Sequence, residues 1–245
     1  LNNLMKILVI LISLIALLLV ALSAPFHKLG IIDLGTSFIG FKYGVYTGIA
    51  ALMLLVLLII LQVITKRKII TFSSAATVVL FSGIAIAVPL IMMNRGSNVP
   101  PIHDISTDLV NPPQFVAIVP LRADAPNPVA YEGEASAAMQ RQAYPDIKTL
   151  TYMQPKAELV KAAAQAAENL GWEMVNTDAN TGLIEATDTT TWFGFKDDVV
   201  VRIEDKGDKR IVDIRSKSRM GASDLGKNAE RIRGFIKELN SVLEQ

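Results

Sequence analysis

VYTGIAALMLLVLLIILQVI, residues 45–64, runs for twenty residues without a charge. A helix of that length rises about 30 Å, the thickness of a bilayer's hydrocarbon core. The stretch therefore predicts a membrane span, and two neighbours repeat it: LMKILVILISLIALLLVAL at 4–22 and IITFSSAATVVLFSGIAIAVPLIMM at 69–93. Nothing comparable follows residue 93. The pattern predicts a three-helix transmembrane anchor over residues 1–93, with all the remaining chain on one side of the membrane.

Orientation follows from the loop between the second and third runs. Lys66, Arg67 and Lys68 form its dense basic cluster, and basic loops are retained in the cytoplasm. Counting outward, the amino terminus with Lys6 is expected inside, and both the loop over residues 23–44 and the domain after residue 94 outside. In a bacterial cell this describes a multi-pass inner-membrane protein with a periplasmic carboxy-terminal domain. The first run also has features of a cleaved signal peptide, since Ala21-Leu22-Ser23-Ala24 sets small residues in a cleavage-like order. Pro25 directly after it argues against cleavage.

No charged side chain lies deep in the runs, and Gln62 is their one strongly polar group. Ion and proton pathways depend on intramembrane ionisable residues, so transport by these helices alone is not expected. Gly40, Gly44 and Gly48 recur every four residues on one helical stripe, and Gly83 with Ala87 repeats the spacing in the third run. Small residues at that spacing let helices approach closely. They are read as helix-packing positions, either within the chain or toward a partner membrane protein.

The net charge of +1 divides unevenly. Residues 1–93 hold six basic residues and one acidic, whereas 94–245 hold 18 basic and 22 acidic, a domain at −4. That balance argues against nucleic acid as a partner. Cysteine is absent, which excludes disulfides, thiolate metal sites and cysteine nucleophiles. No cofactor is expected.

Residues 94–130 are rich in proline and lack a sustained period, which predicts an extended linker, strapped along the domain through Ile102, Phe115 and Val119. Beyond it the periodicity predicts an α+β domain over residues 131–245: a short helix over 132–143, a strand over 147–152 and a helix from Pro155 to Gly171. Strands over 172–177 and 183–190 follow, then a hairpin turning at Lys206-Gly207-Asp208, and a last helix over 223–243. The fold class is an antiparallel sheet with helices on one face.

In the return strand of that hairpin, alternation places Val212, Ile214, Ser216 and Ser218 on one face and Arg215, Lys217 and Arg219 on the other. Residues 209–237 hold nine basic residues and three acidic. With Ser223 or Asp224 capping the following helix, whose free amides attract anions, Arg215, Lys217, Arg219 and Ser223 are the candidate site for an anion or acidic partner. The competing reading is a solvated face paired with Asp213, Asp197, Asp198 and Asp224. His103 beside Asp104, with Ser106 nearby, invites a hydrolase reading, but adjacent residues rarely orient one another as a triad requires. His27 is too remote in sequence to supply an obvious second metal ligand. Trp192, Phe193 and Phe195 are read as a hydrophobic plug between sheet and helix, or else as an exposed docking patch.

PPIHDISTD at 100–108, AYPDI at 143–147, WFGFKDDVVVRI at 192–203 and VDIRSKSRMGASDLGKNAERIR at 212–233 resemble the bacterial and plastid proteins of domain-of-unknown-function family 1499. The likeness spans about residues 97–243 and leaves out the anchor. It implies no activity, and no residue inherits a catalytic role from it. The expectation is a non-enzymatic, membrane-anchored accessory or scaffold subunit, touching membrane lipids and a partner membrane protein. The alternatives are a binding module for an anionic envelope ligand and an enzyme of unknown type.

Overall fold

The computed structural model describes residues 2–244 and divides them into two units. The first holds residues up to Asn94 together with Thr191–Gly194, and the second holds Arg95–Thr190 and the chain from Phe195 onward.

Three long helices make up the first unit: α1 (Asn2–Lys28), α2 (Leu34–Thr65) and α3 (Phe72–Ser97). Each is long and apolar enough to cross a membrane. The outer loop expected over 23–44 is mostly helix, and only Leu29–Asp33 separates α1 from α2. Apolarity marks where a helix meets lipid, whereas backbone hydrogen bonding carries it on into the polar interface. Asp33 sets the new start, accepting a 2.9 Å hydrogen bond from the Thr36 amide. At the other end of α2, Gln62 Oε1 accepts from the amides of Ile69 and Ile70 at 2.8 and 2.9 Å. The one strongly polar group of the span thus satisfies the donors of the turn into α3.

The glycine stripe is filled by the chain's own helices. A methyl group at Gly40 would collide with Ser23 of α1, one at Gly44 would lie 2.5 Å from Val20 Cγ2, and one at Gly48 would lie 3.2 Å from Ile86 Cγ1 of α3. Gly83 does not repeat this role: no described atom comes within 4 Å of such a methyl, and Ala87 is exposed.

The second unit is an antiparallel sheet of six strands in the order β1-β6-β5-β4-β3, with β2 also on β6. The strands are β1 (Asp104–Ser106), β2 (Leu150–Tyr152), β3 (Glu173–Asp178), β4 (Leu183–Thr189), β5 (Lys196–Lys206) and β6 (Lys209–Ser218). β1 pairs with the second half of β6, Asp104 opposite Lys217, and β2 with the first half, Leu150 opposite Val212. Helix α4 (Glu134–Ala143) precedes β2, α5 (Lys156–Asn169) follows it, and α6 (Lys227–Leu243) follows β6.

One sheet face carries Ile105, Ile184, Val201, Ile203, Val212 and Ile214, which pack with Leu159 and Ala163 of α5 and Ile232, Phe235 and Leu239 of α6 in the main core. Both helices present apolar residues three and four apart, which is why they bury one stripe each.

Two boundaries differ from the sequence reading. Helix α6 begins at Lys227, not Ser223, because Leu225 and Gly226 adopt positive φ angles of 55° and 81°. A chain in that left-handed region cannot continue a right-handed helix. Ser223 therefore caps no helix and instead accepts the Leu225 amide at 3.2 Å, while Asp224 takes the amides of Gly226 and Asn228 at 2.8 and 2.7 Å. The proline-rich stretch is likewise no spacer ahead of a domain starting at 131. It supplies β1 and then a strap, residues 107–130, which includes a 3-10 turn at Val119–Arg122 and covers the sheet face opposite the helices. Ile102 and Phe115 insert as expected, while Val119 stays exposed.

Candidate functional site

Alternation along β6 placed Arg215 and Lys217 on the face away from Val212 and Ile214, but that face is not solvated. Both side chains are 0% exposed, and Arg219 is largely covered. The expectation of an open basic surface is corrected because the strap lies over it. Pleating fixes which residues share a face and says nothing of what covers that face.

Under the strap the charges meet in pairs. Asp104 of β1 receives Arg215 Nε and Nη2 at 2.9 and 2.8 Å in a two-pronged contact, and Lys217 Nζ at 2.9 Å. The cations' remaining hydrogens reach back to strap carbonyls: Arg215 to Pro113 and Val129 at 3.2 and 3.0 Å, Lys217 to Ala130 at 2.9 Å. The Arg215 guanidinium also lies 5.0 Å from the Phe115 ring centre and 5.4 Å from that of Tyr131. Burial lowers the Lys217 ammonium's pKa against the opposing pull of Asp104. Tyr131 is pushed up to about 12 by burial and then by the Asp104 charge.

A second pair closes the middle of the strap. Asp198 of β5 receives Arg122 at 2.7 Å, Arg219 at 2.8 and 2.9 Å, and the Thr187 hydroxyl at 2.7 Å. Hydrogen bonding to Asp198 holds the Arg219 pKa above its ordinary value. Arg122 also donates to the carbonyls of Asn127 and Ser218 at 3.1 and 3.0 Å, tying strap to sheet directly. Fully buried Glu185 of β4 contributes a carboxylate that accepts the amides of Val116, Ala117 and Ile118 at 2.8, 2.7 and 3.2 Å. At the strap's start, Arg202 bridges Asp108 and Asp213 at 3.0 and 2.9 Å and reaches the Asn111 carbonyl at 3.0 Å.

The other sequence candidates separate from this cluster. Asp104 does not orient His103, whose Nε2 lies 3.0 Å from Glu132 Oε1, and the Ser106 hydroxyl donates to the Asp108 carbonyl at 2.8 Å. His27 belongs to the other unit, with Nδ1 3.4 Å from the Ile32 carbonyl oxygen. Trp192 and Phe193 do not plug the sheet. They cluster with the apolar helices, Phe193 stacked 5.7 Å from the Phe41 ring and Trp192 edge-on to Phe41 at 5.5 Å. No group of three or more His, Asp or Glu residues is placed to hold a metal among the described residues. On the helix side a depression of about 300 Å³ is lined by Trp172, Asp188, Lys227, Glu230, Arg231 and Gly234. Its charges are also paired, Arg231 with Asp188 and Asp197 at 2.8 and 2.6 Å and Lys227 with Glu230 at 2.6 Å.

Sequence reasoning named Asp198 as a pairing partner of this face but missed Arg122 and Glu185, and took the paired face to be solvated. A signal was present: Asp198 and Arg202 share the parity of β5 that faces Lys217 and Asp213 across the hairpin. Opposite charges at matched positions on one sheet face predict internal pairing. Fastening is what the arrangement can do chemically, since every cation in it is spent on a carboxylate or a carbonyl of the same domain. The outward side of the strap is different in kind. Val116, Val119 and Leu121 are 62, 42 and 52% exposed, and Pro120 lies open among them.

No curated protein matches the chain. Residues 104–239 match the family model described as protein of unknown function, DUF1499. The matched segment opens on Asp104, the carboxylate that holds Arg215 and Lys217, and closes on Leu239 in the α6 core. Since it spans more than half of the sequence, the chain belongs to the DUF1499 family.

Proposed function

We propose that this protein is a non-enzymatic, membrane-anchored accessory subunit whose soluble domain meets a partner protein through the strap. One observation carries the reading: the strap's inner side is pinned to buried charged groups of the sheet, Glu185, Asp198 and Arg215, while its outer side holds Val116, Val119, Pro120 and Leu121 open to solvent. Rigid apolar side chains grouped on a surface are typical of contact sites, and a backbone already fixed loses little entropy when a partner docks. Arg215, Lys217 and Arg219 are engaged internally, which removes the groups on which the first anionic-ligand reading depended. The Lys66–Lys68 loop supports a cytoplasmic position for the α2–α3 turn. On this reading the soluble domain belongs to the outer face, the periplasm in a Gram-negative cell.

The test is Val116→Glu with Leu121→Glu in the full chain, purified in mild detergent alongside the unaltered protein. Both side chains are exposed and take no part in the strap's fastening, which uses the Val116 backbone alone, so the melting temperature is expected to hold within a few degrees. A stoichiometric companion protein should co-purify with the unaltered chain and be lost from the variant. Equal recovery of the companion by both would sink the proposal.

A further inference from the structure

Between α2 and α3 lies an apolar cavity of about 440 Å³, walled by Phe38, Phe41 and Val45 on one helix and Pro89, Leu90 and Met93 on the other, with Lys42 at its edge. We infer that this cavity binds one anionic membrane lipid, an acyl chain lying between the helices and the headgroup on Lys42.

Depth places the two parts of such a ligand. Lys42 lies 23 residues before Thr65, where α2 ends beside the basic loop, and 23 residues of helix rise about 35 Å. That carries Lys42 across the hydrocarbon to the opposite headgroup layer, whose inner boundary lies about 30 Å away. Tyr43 and Tyr46, both more than half exposed, flank it, as aromatic side chains do at a membrane interface. On α3, Met93 follows Phe72 by 21 residues, about 32 Å, so both walls reach the same level.

Shape and charge choose the occupant. Below the cavity the helices touch, Gly48 against Ser82 and Ile86. Above that contact Pro89 and the aromatic rings hold the space open. The walls are almost wholly apolar and offer water no partners, so the space favours hydrocarbon. The space is partly open, so a foreign helix, about 10 Å across with its side chains, could enter it only by its side chains, whereas a single acyl chain lies within it along its length. The Lys42 ammonium is exposed, meets no carboxylate among the described residues, and lies 5.9 Å from the Tyr46 ring centre. An uncompensated cation over an apolar slot complements an amphiphile with a negative head, and a cation at the membrane surface favours anionic lipid over zwitterionic by about fivefold.

Native mass spectrometry of the full chain in mild detergent, titrated with phosphatidylglycerol or phosphatidylcholine, tests the inference. The unaltered protein should retain one phosphatidylglycerol in preference to phosphatidylcholine. Lys42→Gln should abolish that preference, and Val45→Trp, which fills the cavity, should remove the retained lipid of either kind. Lys42 is exposed, so its variant should fold, and an unchanged melting temperature for the soluble domain controls for it. Equal retention of the two lipids by the unaltered chain, an undiminished preference in Lys42→Gln, or a protein helix that lipid cannot displace would each overturn the assignment.

Discussion

Asp104 is fully buried with two cations upon it, and its worth differs from what an ion count suggests. Replacing a buried pair with well-packed apolar groups is often neutral, whereas removing one partner strands a charge and costs about 3–5 kcal/mol. Asp104→Asn should therefore lower unfolding free energy by that amount. Combined Asp104→Leu, Arg215→Met and Lys217→Met should cost markedly less, and urea unfolding of the full chain compares them. If the single variant is as stable as the original, the cluster is not the clamp described. Asp108 gives a pH counterpart. Burial alone would raise its pKa, but the amides of Asn111 and Val110 and the Arg202 side chain outweigh that and hold it below the ordinary 3.8. Its contribution is complete above pH 3.8 and lost as pH falls through the lower folded value, so the melting temperature of Asp108→Asn should fall less steeply with acid than that of the unaltered chain. The parity of Arg215 and Lys217 was legible in the sequence, because pleating is a backbone property. Their burial was not, because it depends on a strap that joins them only in space.

At the scale of elements, the strap replaces a second layer of helices. Its turns satisfy some of its own amides, as at Leu121, which donates to the Ile118 carbonyl, but those of Val116, Ala117 and Ile118 find their acceptor on the sheet, where Glu185 takes all three. Glu185→Gln turns one acceptor oxygen into a donor facing donors. A loss of about 1–3 kcal/mol is expected, with faster amide exchange at Val116–Ile118 than elsewhere in the sheet. Uniform exchange across the domain would count against a locally fastened strap. Apolar alternation in β5 and β6 and the periodic faces of α5 and α6 made those elements readable. The start of α6 was misread, since Ser223 and Asp224 are good caps in composition and only the left-handed backbone at Leu225 and Gly226 shows that the helix waits until Lys227.

Across the whole molecule, hydropathy alone gave the three apolar helices, since a lipid-facing surface has to be continuous. It overstated the loop between the first two, where polarity rises but helix persists. The glycine stripe could equally have met a foreign helix, and only the positions of Val20 and Ile86 decide for packing within the chain. Gly44→Leu should accordingly lower the yield of inserted, detergent-stable protein while the melting transition of the soluble domain stays in place. Normal yield with loss of a companion protein would mean that the stripe faces outward after all.

The pairing of β1 with β6 also sets an order in time. Asp104 leaves the ribosome more than a hundred residues before the cations it requires, with 111 positions separating it from Arg215 and 113 from Lys217. Loops that long are slow to close, so during synthesis Asp104 and the strap carbonyls of Pro113, Val129 and Ala130 wait for their cations until β6 arrives, after Glu185 of β4 and Asp198 of β5 have already emerged. A nascent chain halted at residue 206, just short of β6, should lose residues 107–130 to protease within moments, and one allowed to run past α6 should keep them.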